Sequence, residues 1–116
     1  MSGLKSYQKG LLAEGIVEQA YCREGASVIA RRYRSGAGEI DLILRKGLVV
    51  IFVEVKSART LDRAAESLGQ RQIARLMQAG EIWLAAKEPQ GTNCRFDVAL
   101  VDDRGRLRRI ENAFLA

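Results

Sequence analysis

Three charged residues stand where strand formers would ordinarily be apolar: Asp41, Glu54 and Lys56, all within residues 36–56. Two carboxylates brought to one point are hard oxygen ligands suited to Mg²⁺ or Mn²⁺. Such an ion keeps several waters and takes one or two protein carboxylates together with substrate phosphate oxygens. It polarises phosphorus and lowers the pKa of a bound water. A lysine beside the pair orients the attacking water and stabilises charge developing on the phosphorane. The chemistry this set would serve is a metal-dependent cut of a phosphodiester, with Asp41 and Glu54 on the metal and Lys56 positioning water. A cross-strand ion pair on a solvated sheet face, worth little to stability, is the competing reading of the same residues.

Delivering that chemistry falls to two strands, residues 39–44 and 48–55, joined across Arg45-Lys46-Gly47. With Lys46-Gly47 as a two-residue turn, Arg45 faces Leu48, Asp41 faces Phe52 and Glu39 faces Glu54. Asp41 is then the diagonal neighbour of Glu54, about 7 Å away on the same face. Lys56 follows on that face because strand side chains alternate. A slip of one residue would send Asp41 to the other face, so an even register, or a bulge near Gly36 to Gly38, is expected.

The rest of the chain frames this hairpin. Residues 4–22 read as a helix whose stripe is Tyr7, Gly10, Leu11, Glu14, Val17 and Tyr21. Glu14 therefore points towards the sheet, or else reaches solvent as a boundary residue past Gly10 and Ala13. Residues 26–33 form a strand with Arg31, Arg32 and Arg34 at its basic end. These are either phosphate contacts or edge charges that deter strand pairing. Residues 57–66, with Arg59 and Arg63, read as a polar, mobile segment framing one side of the site. Ser67-Leu68-Gly69-Gln70 resembles a capping box opening a second helix, with Ile73, Leu76, Met77, Gly80 and Leu84 inward and Arg71 and Arg75 outward. Pro89 stops it. Residues 95–101 and 107–111 are further strands, giving helix, three strands, helix, two strands within one domain, 1–116.

Lys and Arg number 19 against 14 Asp and Glu, a net charge of +5. That surplus suits a polyanion, though a generically basic soluble protein shows it too. The absence of histidine excludes Ser-His-Asp, Cys-His and histidine-dependent nuclease sites. Cys22 and Cys94 are too far apart for a C-x-x-C motif and lack a histidine companion, which leaves two reduced, buried thiols as the expectation. Residues 1–14 lack the apolar core of a signal peptide, and the apolar run 48–53 is far too short to span a bilayer. A cytoplasmic protein is expected.

Gly38-Glu39-Ile40-Asp41-Leu42-Ile43, Phe52-Val53-Glu54-Val55-Lys56-Ser57 and Arg95-Phe96-Asp97-Val98, with Ala13-Glu14 in the first helix, resemble the YraN family of small bacterial proteins. That family is similar to archaeal Holliday-junction resolvases, and the resemblance runs in order along nearly the whole chain. It implies an α/β, restriction-endonuclease-like fold: a mixed β-sheet flanked by helices, in the order α-β-β-β-α-β-β. It implies a catalytic set of Asp41, Glu54, Lys56 and Glu14, the last as an accessory acidic group, with Mg²⁺ or Mn²⁺ as cofactor. Glu39 and Asp97 also match family motifs; Glu39 alternatively holds its loop, and Asp97 alternatively pairs with a nearby arginine. Relatives commonly carry a lysine where Gln72 aligns, so a positive contact is missing there or is taken over by Arg71. The activity so implied is endonucleolytic cleavage of DNA rather than RNA, on branched or repair intermediates, by a possible homodimer. A non-catalytic nucleic-acid-binding module on the same fold is the alternative. Arg31, Arg32, Arg34, Arg59, Arg63, Arg71 and Arg75 are candidate phosphate contacts, without base specificity.

Overall fold

The five strands form one sheet in the order β1-β2-β3-β4-β5, and the parallel contact between β3 and β4 makes it mixed. The computed structural model describes residues 2–114, and side chains from residue 7 to residue 114. In chain order the elements are α1 (Ser2–Arg23), β1 (Ser27–Arg34), β2 (Glu39–Lys46), β3 (Val49–Ser57), α2 (Leu61–Glu66), α3 (Gln70–Lys87), β4 (Asn93–Val101) and β5 (Leu107–Ile110). The expected mixed sheet flanked by helices is therefore present, with one helix more than expected. Residues 57–66 are not an irregular segment: Thr60 caps α2 by accepting from the Arg63 amide at 3.1 Å. Ala64 is buried against Val98 and Leu100. Ser67 belongs to the end of α2, its hydroxyl donating to the Ala64 carbonyl at 2.7 Å, and α3 opens instead behind Gly69 without a side-chain cap. No helix among the described residues is long and apolar enough to cross a membrane.

The β2–β3 register departs from expectation by two residues. Lys46 pairs with Val49 and Arg45 with Val50, so the turn is Gly47-Leu48, with Gly47 in the left-handed region at φ 59. An even displacement keeps Asp41, Glu54 and Lys56 together on the α3 face, whereas Ile40 joins the α3 core and not the α1 core of its alternation partner Leu42. The recorded irregularity in β1–β2 pairing lies between Val28 and Ala30, not near Gly36 to Gly38.

Two cores sandwich the sheet. On one face α1 sets Ala13, Val17 and Tyr21 on Leu42, Leu44, Ile51, Val53, Ala99 and Val101. Tyr7 and Leu11, placed in the inward stripe by their spacing, are exposed at 55% and 44%, because burial along the described side chains of α1 begins at Ala13. Cys22, expected to be buried, is exposed, and Cys94 is half-buried. On the other face α3 sets Leu76, Ala79 and Trp83 on Ile43, Val50, Phe52 and Phe96. Spacings of three and four residues supply both stripes. Residues 50–54 of β3 are all buried, as a central strand covered on both faces requires.

Gly80 is where α3 comes closest to the sheet. A Cβ there would lie 2.6 Å from Phe96 Cζ and 2.8 Å from Cε1, and that ring is already stacked on Phe52 at 4.9 Å. Gly80→Ala is expected to lower stability by about 1–3 kcal/mol through overpacking, outweighing the gain in helix propensity of about 1 kcal/mol. A lower urea midpoint at unchanged slope would register it.

Candidate active site

The ladder between β2 and β3 ends at Leu42–Val53. One step further, Asp41 stands opposite Glu54. There the Val55 amide donates to Asp41 Oδ2 at 2.7 Å instead of extending the ladder. The strands part at that point while β1 and β2 stay paired down to Arg34–Glu39. The opening is a cleft of about 350 Å³, lined by Gly38, Glu39 and Asp41 from β2 and its approach, Glu54, Val55 and Lys56 from β3, and Gln72, Arg75 and Leu76 from α3. Asp41, Glu54 and Lys56 thus share one face, and the first two are directly opposed instead of diagonal.

Glu54 is buried, 5% exposed, at the cleft floor. Burial pushes its carboxyl up to about 9, helped by a hydrogen bond with Asp41 and by that neighbour's negative charge; Lys56 and the Gln72 amide pull the other way. Gln72 Nε2 donates to Glu54 Oε2 at 3.1 Å. Lys56 forms no ion pair among the described residues, which sets the arrangement apart from a cross-strand salt bridge on a solvated face. Two opposed carboxylates, one desolvated, repel each other unless a proton or a cation lies between them. No group of three or more His, Cys, Asp or Glu residues gathers among the described residues. A hard cation held by Asp41 and Glu54 would take its remaining oxygens from water and phosphate, the pattern Mg²⁺ favours.

The other sequence-derived candidates are distributed more widely. Glu14 does not line the cleft: its carboxylate receives a bidentate pair from Arg32, at 3.0 and 3.2 Å. Glu39 lies at the rim, 3.8 Å from Arg34. Asp97 is on the α1 face, wholly buried, and is bound by Arg95, Tyr21 and the Asn112 amide. Of the arginines, Arg31 pairs with Glu18 and Arg32 with Glu14, whereas Arg59, Arg63, Arg71 and Arg75 form no ion pair among the described residues. Arg75 lines the cleft, and Arg71 precedes it by one helical turn. Arg59 lies instead in a separate groove of about 650 Å³ with Lys9, Leu12 and Ile16. The Val55 amide that fixes Asp41 carries no sequence signal, and Gln72, singled out by sequence only for a missing positive charge, proves to donate to Glu54.

A small mixed-sheet α/β protein with opposed carboxylates and a lysine in a cleft is the class these features define. Residues 13–101 match the group described as "Uncharacterised protein family UPF0102", and the chain belongs to that family, the YraN family. A UPF0102 protein of Ruegeria pomeroyi is 52% identical over 114 residues, 97% of this chain and 92% of the relative. One from Cereibacter sphaeroides is 51% identical over the whole of both chains. One from Granulibacter bethesdensis is 43% identical, covering 98% of this chain and 73% of the relative. Among solved structures, Pyrococcus furiosus SfsA in complex with Ca²⁺ overlays 84% of this chain and 59% of that one. The identity is 18% and the TM-score 0.32, too low to draw on.

Proposed function

We propose that this protein is a metal-dependent endonuclease that hydrolyses phosphodiester bonds in DNA, with branched or repair intermediates as the favoured substrates. The observation that carries the reading is the direct opposition of Asp41 and Glu54 in a cleft that Lys56 also lines. A Mg²⁺ or Mn²⁺ ion held by the two carboxylates would supply Lewis acidity at phosphorus and an acidified water. The chain's own groups do the rest. The Val55 amide holds Asp41 in one rotamer, and the Gln72 amide orients Glu54. Lys56 aligns the nucleophilic water and offsets negative charge on the phosphorane. Arg75 at the cleft and Arg71 beside it meet the flanking phosphates. Arg31 and Arg32 are engaged with glutamates of α1, which moves the nucleic-acid path towards α3 and away from β1.

A non-catalytic nucleic-acid-binding module is the second reading, favoured by a neutral Gln72, not a cation, as the α3 side chain that contacts Glu54. Incubation with linear and four-way-junction DNA, with and without Mg²⁺ or Mn²⁺, separates the two. Metal-dependent cleavage that disappears in Asp41→Asn and Lys56→Ala is the expected result. Salt-sensitive binding without cleavage under any metal would establish the module instead.

A further inference from the structure

The pairs Arg31–Leu42 and Tyr33–Ile40 place Arg32 directly across the ladder from Asp41. Opposed residues of an antiparallel pair project to the same face with their Cβ atoms about 5 Å apart. In a regular β1 the Arg32 guanidinium would therefore stand beside Asp41, at the mouth of the cleft, and a bidentate arginine would neutralise the carboxylate there.

The structure avoids this. Arg32 has φ 51, a left-handed conformation that is uncommon for a long side chain. Its guanidinium turns to α1, donates to both oxygens of Glu14 and lies 5.2 Å from the centre of the Tyr7 ring. Its neighbour Arg31 reaches the same helix, bonding both oxygens of Glu18 at 2.7 and 3.0 Å. Successive residues of a regular strand point to opposite faces. Here both reach α1, because Arg32 has left the alternation and because Glu14 and Glu18 are one helical turn apart. The Glu14–Arg32 pair is partly buried, with side chains 33% and 18% exposed for arginine and glutamate, so solvent screens it only in part.

We infer that Glu14 is a positioning residue: it draws Arg32 out of the cleft, so that Asp41 and Glu54 remain available to a divalent cation. Glu14 needs no contact with metal or substrate for this. Once Glu14 is neutral, the acceptors left near Arg32 are Glu39 and Asp41, the first already close enough for its charge to act on the guanidinium. The arginine then competes with the cation for the cleft. The inference rests on the cation-binding reading of that cleft.

Calorimetric titration of Mn²⁺ into the wild-type protein, Glu14→Gln, Arg32→Asn and the double variant tests it, with thermal melts confirming that each is folded. Asparagine accepts the left-handed backbone, so Arg32→Asn removes the positive charge without straining β1. Glu14→Gln is expected to weaken Mn²⁺ binding by about tenfold or more, the scale on which supporting residues of metal sites act. Arg32→Asn alone is expected to bind as tightly as wild type or tighter, and the double variant to recover to within about threefold of wild type. A double variant as weak as Glu14→Gln would mean that Glu14 acts directly, and would overturn the inference. So would a loss of affinity in Arg32→Asn, a measurement that stands even if Glu14→Gln fails to fold. A wild-type protein that binds no Mn²⁺ overturns the proposed function as well, whereas wild-type binding with an unimpaired Glu14→Gln overturns the positioning role alone.

Discussion

Glu54→Gln is expected to abolish cleavage while making the metal-free protein more stable. Loss of a central electrostatic group should reduce the rate by about 10³-fold or more. The gain in stability follows from the environment of Glu54. Its carboxyl titrates at 4.5 when unperturbed and is pushed up to about 9 in the fold, by burial first and by Asp41 second. Between those values the folded state holds a proton that the unfolded chain has released. Stability therefore falls as pH rises across that window and levels off above it. Glutamine keeps the shape and the contact with Gln72 but has no charge to desolvate. Replacing Glu54 should leave stability near that of wild type at the acid end and raise it by about 1–3 kcal/mol at the alkaline end. That corresponds to roughly 4 °C in Tm for each kcal/mol. Melts in chelator at both ends of the window read this directly, and equal stability at the alkaline end would show that the buried carboxyl carries no such cost. Added Mg²⁺ should reverse the order, because a ligand that binds only the folded wild type stabilises it by mass action. Opposite signs for activity and stability mark a residue kept for chemistry against the interest of the fold.

The hairpin and its three charges were legible in the sequence because strand alternation is a strict rule, and an error of two residues in register preserves it. The turn was misplaced because Lys46-Gly47 and Gly47-Leu48 both contain the glycine that a tight turn needs. Residues 61–66 gave no helical signal: Asp62, Arg63 and Glu66 are polar, and Ala64 alone is buried. Spacing placed Tyr7 and Leu11 in the same stripe as Val17 and Tyr21, yet only the latter two are buried, because spacing holds no information about where along α1 the burial starts. The partners of the arginines were the least accessible. Whether Arg32 meets phosphate, Asp41 or Glu14 depends on one backbone torsion and on the packing angle of α1, which belong to the tertiary structure.

Asp97→Ala is expected to cost about 3–5 kcal/mol, a large part of the stability of a domain this size. Asp97 matches a family motif just as Asp41 and Glu54 do, yet it lies on the α1 face with no surface exposed. Its two oxygens join three separate parts of the chain. Tyr21 of α1 donates its hydroxyl at 2.6 Å; Arg95, two residues earlier on β4, donates from Nε at 3.0 Å; and the Asn112 amide, beyond β5, donates at 2.9 Å. Arg109 lies 4.5 Å from the centre of the Tyr21 ring and pairs with Glu24 at the end of α1, so the same cluster ties β5 to the helix. Burial and the Asp97 carboxylate together hold the Tyr21 phenol well above its usual range, so it remains a donor at any pH the fold survives. Truncation to alanine strands a buried hydroxyl, an amide and a guanidinium that has only the exposed Glu111 as a second partner, 3.6 Å away. The cost of leaving such groups unpaired exceeds the net worth of the bonds themselves. Asp97→Asn retains one acceptor but turns amide hydrogens towards donors, so it should fall between wild type and alanine. Tyr21→Phe removes one bond and should cost about 1 kcal/mol. In a cycle of Tyr21→Phe and Asp97→Ala the losses should combine to less than their sum, because the aspartate's removal already strands the tyrosine. Urea midpoints of the four proteins measure that coupling, and strictly additive losses would show that Tyr21 and Asp97 do not act as one buried unit.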